Sequence, residues 1–114
     1  MKHIFIINII IVLLSGCATP TSLYTWSNYS TLAHNYLKNS DETSTTKLFD
    51  GYDEVINNQR GTRSAVPPGI YADYAFLLLE QGEIERAREM LSKEMTLYPE
   101  SKVFIEHILK MIEE

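Results

Sequence analysis

The strongest constraint on the fold of this chain is the pattern of side-chain sizes between residues 71 and 99. Apolar residues recur at spacings of three and four on both sides of Gly82, as in two amphipathic helices joined by a tight turn. One small residue interrupts each pattern, and antiparallel helices approach closely only where a small side chain lets them. A proline then stops the second helix. The pattern comprises Tyr71, Tyr74, Ala75, Leu78, Gly82, Ala87, Leu91 and Pro99.

This pattern resembles the consensus of the tetratricopeptide repeat, which has large, small, glycine and proline positions at the same spacing. The resemblance implies a helical hairpin in which Ala75 faces Ala87. Gly82 is expected to end the first helix in a left-handed conformation. A generic helical hairpin that matches the consensus by coincidence is the alternative interpretation.

Three further stretches with helical spacing extend the prediction over residues 24–114. The first opens at Trp26, 45 residues before Tyr71, whereas a regular repeat has about 34. Insertions are therefore expected around residues 40–46 and 57–68. Gly51 weakens the second helix by about 1 kcal/mol, and the third suits a C-terminal capping helix. We predict an all-α, tetratricopeptide-like short stack of antiparallel helical hairpins. The apolar residues of the three stretches are Trp26, Tyr29, Ala33, Tyr36 and Leu37 in the first; Leu48, Phe49, Tyr52, Val55 and Ile56 in the second; and Ile105, Ile108, Leu109 and Ile112 in the third.

The N-terminus has the three parts of a secretory signal, predicted over residues 1–16. Lys2 precedes an apolar run over residues 4–14, which is too short to span a bilayer because a span needs ~20 residues. The alternative is a buried core helix. The run ends in Leu-Ser-Gly-Cys17, which resembles the lipobox of bacterial lipoproteins. That resemblance implies cleavage before Cys17 and a covalent lipid on its thiol, with residues 17–23 forming the lipidated cysteine and tether.

The residue after Cys17 bears on localisation. In lipoproteins of enteric-type bacteria, aspartate at that position favours the inner membrane, and here the residue is Ala18. The resemblance therefore implies a lipid-anchored protein of the outer membrane that faces the periplasm.

Charge and composition exclude several function classes. Cleavage would leave 98 residues with 9 basic and 15 acidic side chains, a net charge of −6. Nucleic-acid binding is disfavoured because it needs clustered Lys and Arg. His34 and His107 have no metal-ligand spacing, and no nucleophile elbow or phosphate loop occurs. We therefore expect that the protein is not an enzyme and that it has no catalytic or metal-binding residues. We also expect no small-molecule substrate, and no cofactor besides the lipid on Cys17.

Four segments resemble the bacterial lipoproteins grouped as domain of unknown function 4810. They are residues 24–29, 66–74, 80–82 and 98–101, together with the lipobox. Ser27 stands where that family usually has glycine. Members typically sit beside a lipoprotein resembling the curli secretion pore, which implies a protein partner of that kind in an outer-membrane assembly. No activity is established for that family, so the resemblance does not indicate one.

The predicted function is a protein-binding adaptor of such a secretion or envelope assembly. In stacked hairpins the inner face of each first helix lines a concave groove that holds peptides or helices. Alternatively, the last helix simply covers Phe76 and Leu79. The alternative function is a passive structural lipoprotein that self-associates through the exposed apolar sides of the last helix. The predicted groove residues are Ala72, Phe76, Leu79 and Glu80, with Tyr24, Ser27, Thr31 and His34 from the first hairpin.

Two arginines lie in the long loop before the second hairpin. Arg60 and Arg63 flank Gly61 and could pair with acidic groups on a partner, or simply belong to a solvated loop.

Overall fold

The computed structural model describes Met1 and residues 21–114, and these residues form helices and loops without a strand. The predicted signal segment and Cys17 lie outside the described residues. The all-α prediction is confirmed: two antiparallel hairpins stack, and a C-terminal helix follows. The helices are α1 (Tyr29–Asn39), α2 (Glu42–Asn57), α3 (Ile70–Glu80), α4 (Ile84–Leu97) and α5 (Lys102–Glu113), with a 3-10 turn at Pro99–Ser101 between α4 and α5.

The second hairpin, α3 and α4, forms as its side-chain pattern predicts. Gly82 connects the helices with a φ of 77°, the left-handed conformation expected of it. The small residues Ala75 and Ala87 are fully buried in the core, as are Leu78 and Leu91. Close packing of this hairpin therefore follows from local sequence.

The first hairpin differs from the sequence prediction at the insertion expected around residues 40–46. Asp41 caps α2, because its carboxylate accepts the backbone N–H of Ser44 at 2.7 Å while the Ser44 hydroxyl accepts that of Asp41. Most of residues 40–46 is therefore the first turn of α2 and not an inserted loop. The helix continues through Gly51, where an added Cβ would lie 2.7 Å from a methyl group of Leu32. Glycine lets α1 approach α2 at this point.

Trp26 lies outside α1, contrary to the predicted register. The helix begins at Tyr29, and Ser27 before it has a φ of 45°. This left-handed residue breaks the helical periodicity that the spacing of Trp26 and Tyr29 suggested.

The C-terminal helix α5 packs against α4 and the 3-10 turn. Its buried side consists of Ile105 and Ile108, as predicted for a capping helix. Three large apolar side chains elsewhere on the helix, Val103, Phe104 and Met111, remain exposed, and Val103 is 82% exposed. Among the described residues, no helix is long and apolar enough to cross a membrane.

Candidate protein-binding face

Two hydrogen bonds of the same kind join α1 to α3. The Tyr29 hydroxyl donates to Oδ2 of Asp73 at 3.1 Å, and the Tyr36 hydroxyl donates to Oε2 of Glu80. The tyrosines are seven residues apart, and so are the carboxylates. Seven residues make two helical turns, so α1 and α3 run alongside each other in one register at both bonds.

Phe76 lies between these two bonds along α3. Residues 73, 76 and 80 share one side of a helix because they are spaced by three and four. This side is the one that α3 exposes, since Tyr74, Ala75, Leu77 and Leu78 are all buried. Phe76 is 38% exposed. We call the set Tyr29, Tyr36, Asp73, Phe76 and Glu80 the tyrosine–carboxylate face.

A series of aromatic rings packs between this face and the core. The ring centroids of Tyr29 and of Tyr52 on α2 lie 5.3 Å apart. The Tyr52 ring in turn stacks on the ring of Tyr74 on α3, with 5.0 Å between their centroids. Burial raises the pKa of Tyr52 far above its ordinary value and also raises that of Tyr29. Both phenols therefore stay protonated and remain hydrogen-bond donors over the physiological pH range.

A second polar network flanks the rings where α2 meets the second hairpin. The Tyr74 hydroxyl donates to Asp53 at 3.2 Å and accepts from Arg86 at 3.1 Å. Arg86 also pairs with Glu83 at 2.6 Å. These bonds connect α2, α3 and α4, so they help to fix the position of α3, which contributes Asp73, Phe76 and Glu80 to the face.

The structure brings some of the predicted groove residues together and separates others. Glu80 belongs to the tyrosine–carboxylate face with Phe76, whereas Ala72 is buried in the core and Leu79 packs against it. Tyr24 lies before α1, and its hydroxyl interacts with that of Tyr98 at the end of α4. His34 is exposed on α1.

Three of the four hydrogen-bonded members of the face, Tyr29, Tyr36 and Asp73, are absent from the groove predicted from sequence, which includes only Glu80. The sequence pattern places Tyr29 and Tyr36 on one face of the first helix but does not connect them with the groove, and it does not single out Asp73. The one available signal was the shared seven-residue spacing of two tyrosines and two carboxylates. That spacing gains meaning only once α1 is known to lie beside α3.

The face has the chemistry of a binding surface. It offers a partly exposed aromatic ring between two carboxylates whose positions are held by hydrogen bonds. Within residues 21–114 no group of three or more His, Cys, Asp or Glu side chains could hold a metal ion.

Comparison with known protein families identifies a match. The sequence model of a family described as "Domain of unknown function (DUF4810)" matches residues 23–108, more than half of the chain. No curated protein matches significantly, and neither does any solved structure.

Proposed function

We propose a function for this chain from the premise that it belongs to the DUF4810 family. The protein acts as an outer-membrane lipoprotein that faces the periplasm and binds another protein as an adaptor or accessory subunit of a secretion or envelope assembly. Its helices follow the tetratricopeptide-like pattern, and it has no catalytic role. The partner is a protein of the same assembly, such as a lipoprotein resembling the curli secretion pore.

The anchor is proposed from the sequence around Cys17. The lipobox follows a short apolar run, and acyl chains on the cysteine would hold the domain at the membrane. Each buried CH₂ contributes roughly 0.8 kcal/mol, so several chains anchor a protein without a spanning helix. Anchoring raises the concentration of the domain near other membrane proteins and so strengthens weak contacts with them.

The exposure of Phe76 is the observation on which the binding role rests. Phe76 is 38% exposed on a helix whose other apolar side chains are buried or partly buried. Partly exposed aromatic residues contribute a large share of the binding energy when a partner covers them. Asp73 and Glu80 on either side favour a partner that presents an apolar side chain between hydrogen-bond donors or basic groups.

A pair of matched variants tests this role. Phe76→Asp places a charge on the tyrosine–carboxylate face, and Val103→Asp places the same charge on the exposed side of α5. The full lipidated protein is crosslinked in envelopes and purified with each substitution. We expect the partner to be lost with Phe76→Asp and retained with Val103→Asp, while circular dichroism shows both variants folded. Retention of the partner by Phe76→Asp would contradict the proposed contact.

The exposed side of α5 supports a second candidate function. Val103 is exposed together with Phe104 and with Met111, which lies two turns further along the helix. Such a stripe could pair with a second copy, which would make the protein a self-associating structural lipoprotein. Sedimentation of the domain without its signal segment separates the two functions. A concentration-dependent dimer that Val103→Asp abolishes supports self-association, and a monomer at all concentrations supports the adaptor.

A further inference from the structure

The segment that leads into α1 is bound to the loop between the two hairpins. The N–H of Thr62 donates to the carbonyl of Ser22 at 3.1 Å, and that of Arg63 donates to the carbonyl of Leu23, also at 3.1 Å. These are backbone bonds between residues 40 positions apart. The chain is therefore part of the folded domain from Ser22 onwards, within what the sequence predicted to be a tether.

Gln59 strengthens this attachment from the end of α2. Its side-chain amide accepts the N–H of Thr25 at 3.0 Å and donates to the Thr25 carbonyl at 2.7 Å. The same amide donates to the carbonyl of Val55. Gly61 lies so close that an added Cβ would fall 2.2 Å from the Leu23 carbonyl oxygen. The segment and the loop thus form one fixed surface.

This surface exposes two apolar and two cationic side chains. Leu23 is 55% exposed and Trp26 is 42% exposed. Arg60 and Arg63 on the loop are exposed and form no salt bridge with any described residue. We call these four residues the segment–loop face.

The remainder of the domain is strongly acidic. Residues 21–114 contain 15 acidic and 9 basic side chains, so without Arg60 and Arg63 the net charge is −8. The domain therefore has a cationic, partly apolar patch on an otherwise negative surface. An anionic surface would attract this patch and repel the rest.

The distance from Cys17 to Ser22 limits how the domain can lie on a membrane. Five residues span at most about 18 Å when fully extended. If Cys17 is acylated, as the proposed function holds, Ser22 lies within that distance of the lipid surface. The segment–loop face begins at the next residue, so it is the part of the described domain held nearest to the membrane.

We propose that the segment–loop face rests on the anionic headgroups of the membrane. Arg60 and Arg63 bind lipid phosphates, for which the guanidinium group is well suited. Trp26 and Leu23 enter the interface, where tryptophan is enriched because its ring is apolar and its N–H remains hydrogen-bonded. The contact orients the domain, while the lipid on Cys17 keeps it in place.

Trp26 is the single tryptophan of the chain, so it reports this contact directly. The purified lipidated protein is reconstituted into vesicles of phosphatidylcholine with about 30% phosphatidylglycerol. Quenching of tryptophan fluorescence by brominated acyl chains is then measured. Arg60→Gln/Arg63→Gln is compared with Lys38→Gln/Lys47→Gln, which also removes two exposed cations but leaves the face intact.

We expect quenching in the wild type and in the lysine variant, and quenching at least about twofold weaker in the arginine variant. All three proteins should float with the vesicles, because the lipid anchor is unchanged. A wild type that floats without quenching would overturn the inference and leave the proposed anchor standing, and so would equal quenching in the two variants. A protein that does not float would overturn the proposed anchor and this inference with it.

Discussion

The carboxylate of Glu94 on α4 caps the helix beside it, because its Oε1 accepts the backbone N–H of Gly69 at 2.7 Å. Gly69 precedes α3 and has a φ of 89°, and as glycine it has no side chain to cap the helix itself. A negative charge at the N-terminus of a helix is favourable. Glu94 is only 3% exposed, so this bond joins the long loop to the core of the second hairpin.

Replacement of Glu94 by alanine is expected to destabilise the domain by about 2–3 kcal/mol. The substitution leaves the Gly69 N–H without its acceptor and opens a cavity. Glu94→Gln keeps an acceptor oxygen and should cost less. Urea unfolding of the domain measures both, with exposed Glu54→Ala as a control expected within about 0.5 kcal/mol of the wild type. An alanine variant as stable as this control would show that the cap contributes nothing.

Gly82→Ala should destabilise the second hairpin through the backbone alone. The φ of 77° penalises a side chain by about 1–2 kcal/mol, and no atom lies within 4 Å of an added Cβ. Gly82→Asn should cost less, because asparagine tolerates the left-handed conformation. Thermal unfolding compares the two substitutions. Equal stability of the wild type and Gly82→Ala would exclude this conformational requirement.

Tyr98 should give the domain an alkaline limit of stability. Burial, followed by the nearby Tyr24 phenol, raises the pKa of Tyr98 to about 12, and the Tyr98 hydroxyl donates to the carbonyl of Val66. A raised pKa means a stabilising contribution that is complete below pH 10 and lost as the pH rises through 12.

Urea unfolding between pH 9 and 12 tests this contribution. The free energy of unfolding should fall more steeply with pH for the wild type than for Tyr98→Phe, which has no phenol to ionise. The comparison isolates Tyr98 from the other tyrosines whose pKa values are raised. Parallel curves for the two proteins would rule out this role.

The bond between Tyr29 and Asp73 should appear as a coupling energy. A double-mutant cycle with Tyr29→Phe and Asp73→Asn is expected to give about 0.5–1 kcal/mol, since the bond is exposed but links two helices. The bond between Tyr36 and Glu80 is an internal comparison at the other end of the face. Additive effects in both cycles would mean that these bonds do not hold α1 to α3.

Gly61→Ala should release the segment before α1 while the helices stay folded. The added Cβ would meet the backbone of Leu23 and Tyr24, which cannot move aside while the Ser22 and Leu23 hydrogen bonds persist. We expect faster proteolysis within residues 21–28 and a change in Trp26 fluorescence, with unchanged helical circular dichroism. Unaltered proteolysis would show that the segment is not held by this contact.

The features of the fold that the sequence predicted correctly depend on neighbouring residues. The spacing from Tyr71 to Pro99 defines a hairpin whose two helices are joined by Gly82, so no distant contact is needed to find it. The prediction that Trp26 belongs to α1 is wrong because it, too, used only the spacing of neighbouring residues. Its local spacing is helical, but Ser27 is left-handed and the segment binds a loop about 35 residues away.

The candidate site was predicted only in part, because its members come from separate helices. The groove predicted from sequence includes Phe76 and Glu80, which are close together on α3. It placed Tyr24 in the same groove, whereas the structure sets Tyr24 against Tyr98 at the end of α4. No local pattern specifies that contact, which arises from the path of the chain after the helices pack.

The sequence by itself determined the helices, the tight turn at Gly82 and the family, because spacing and residue type decide them locally. The tertiary structure alone decided which surfaces exist. It set Tyr29 beside Asp73, capped α3 with Glu94, and joined the segment at Ser22 to the loop that contains Arg60 and Arg63. These contacts link residues 25 to 44 positions apart, and they form only when helix packing brings the two parts of the chain together.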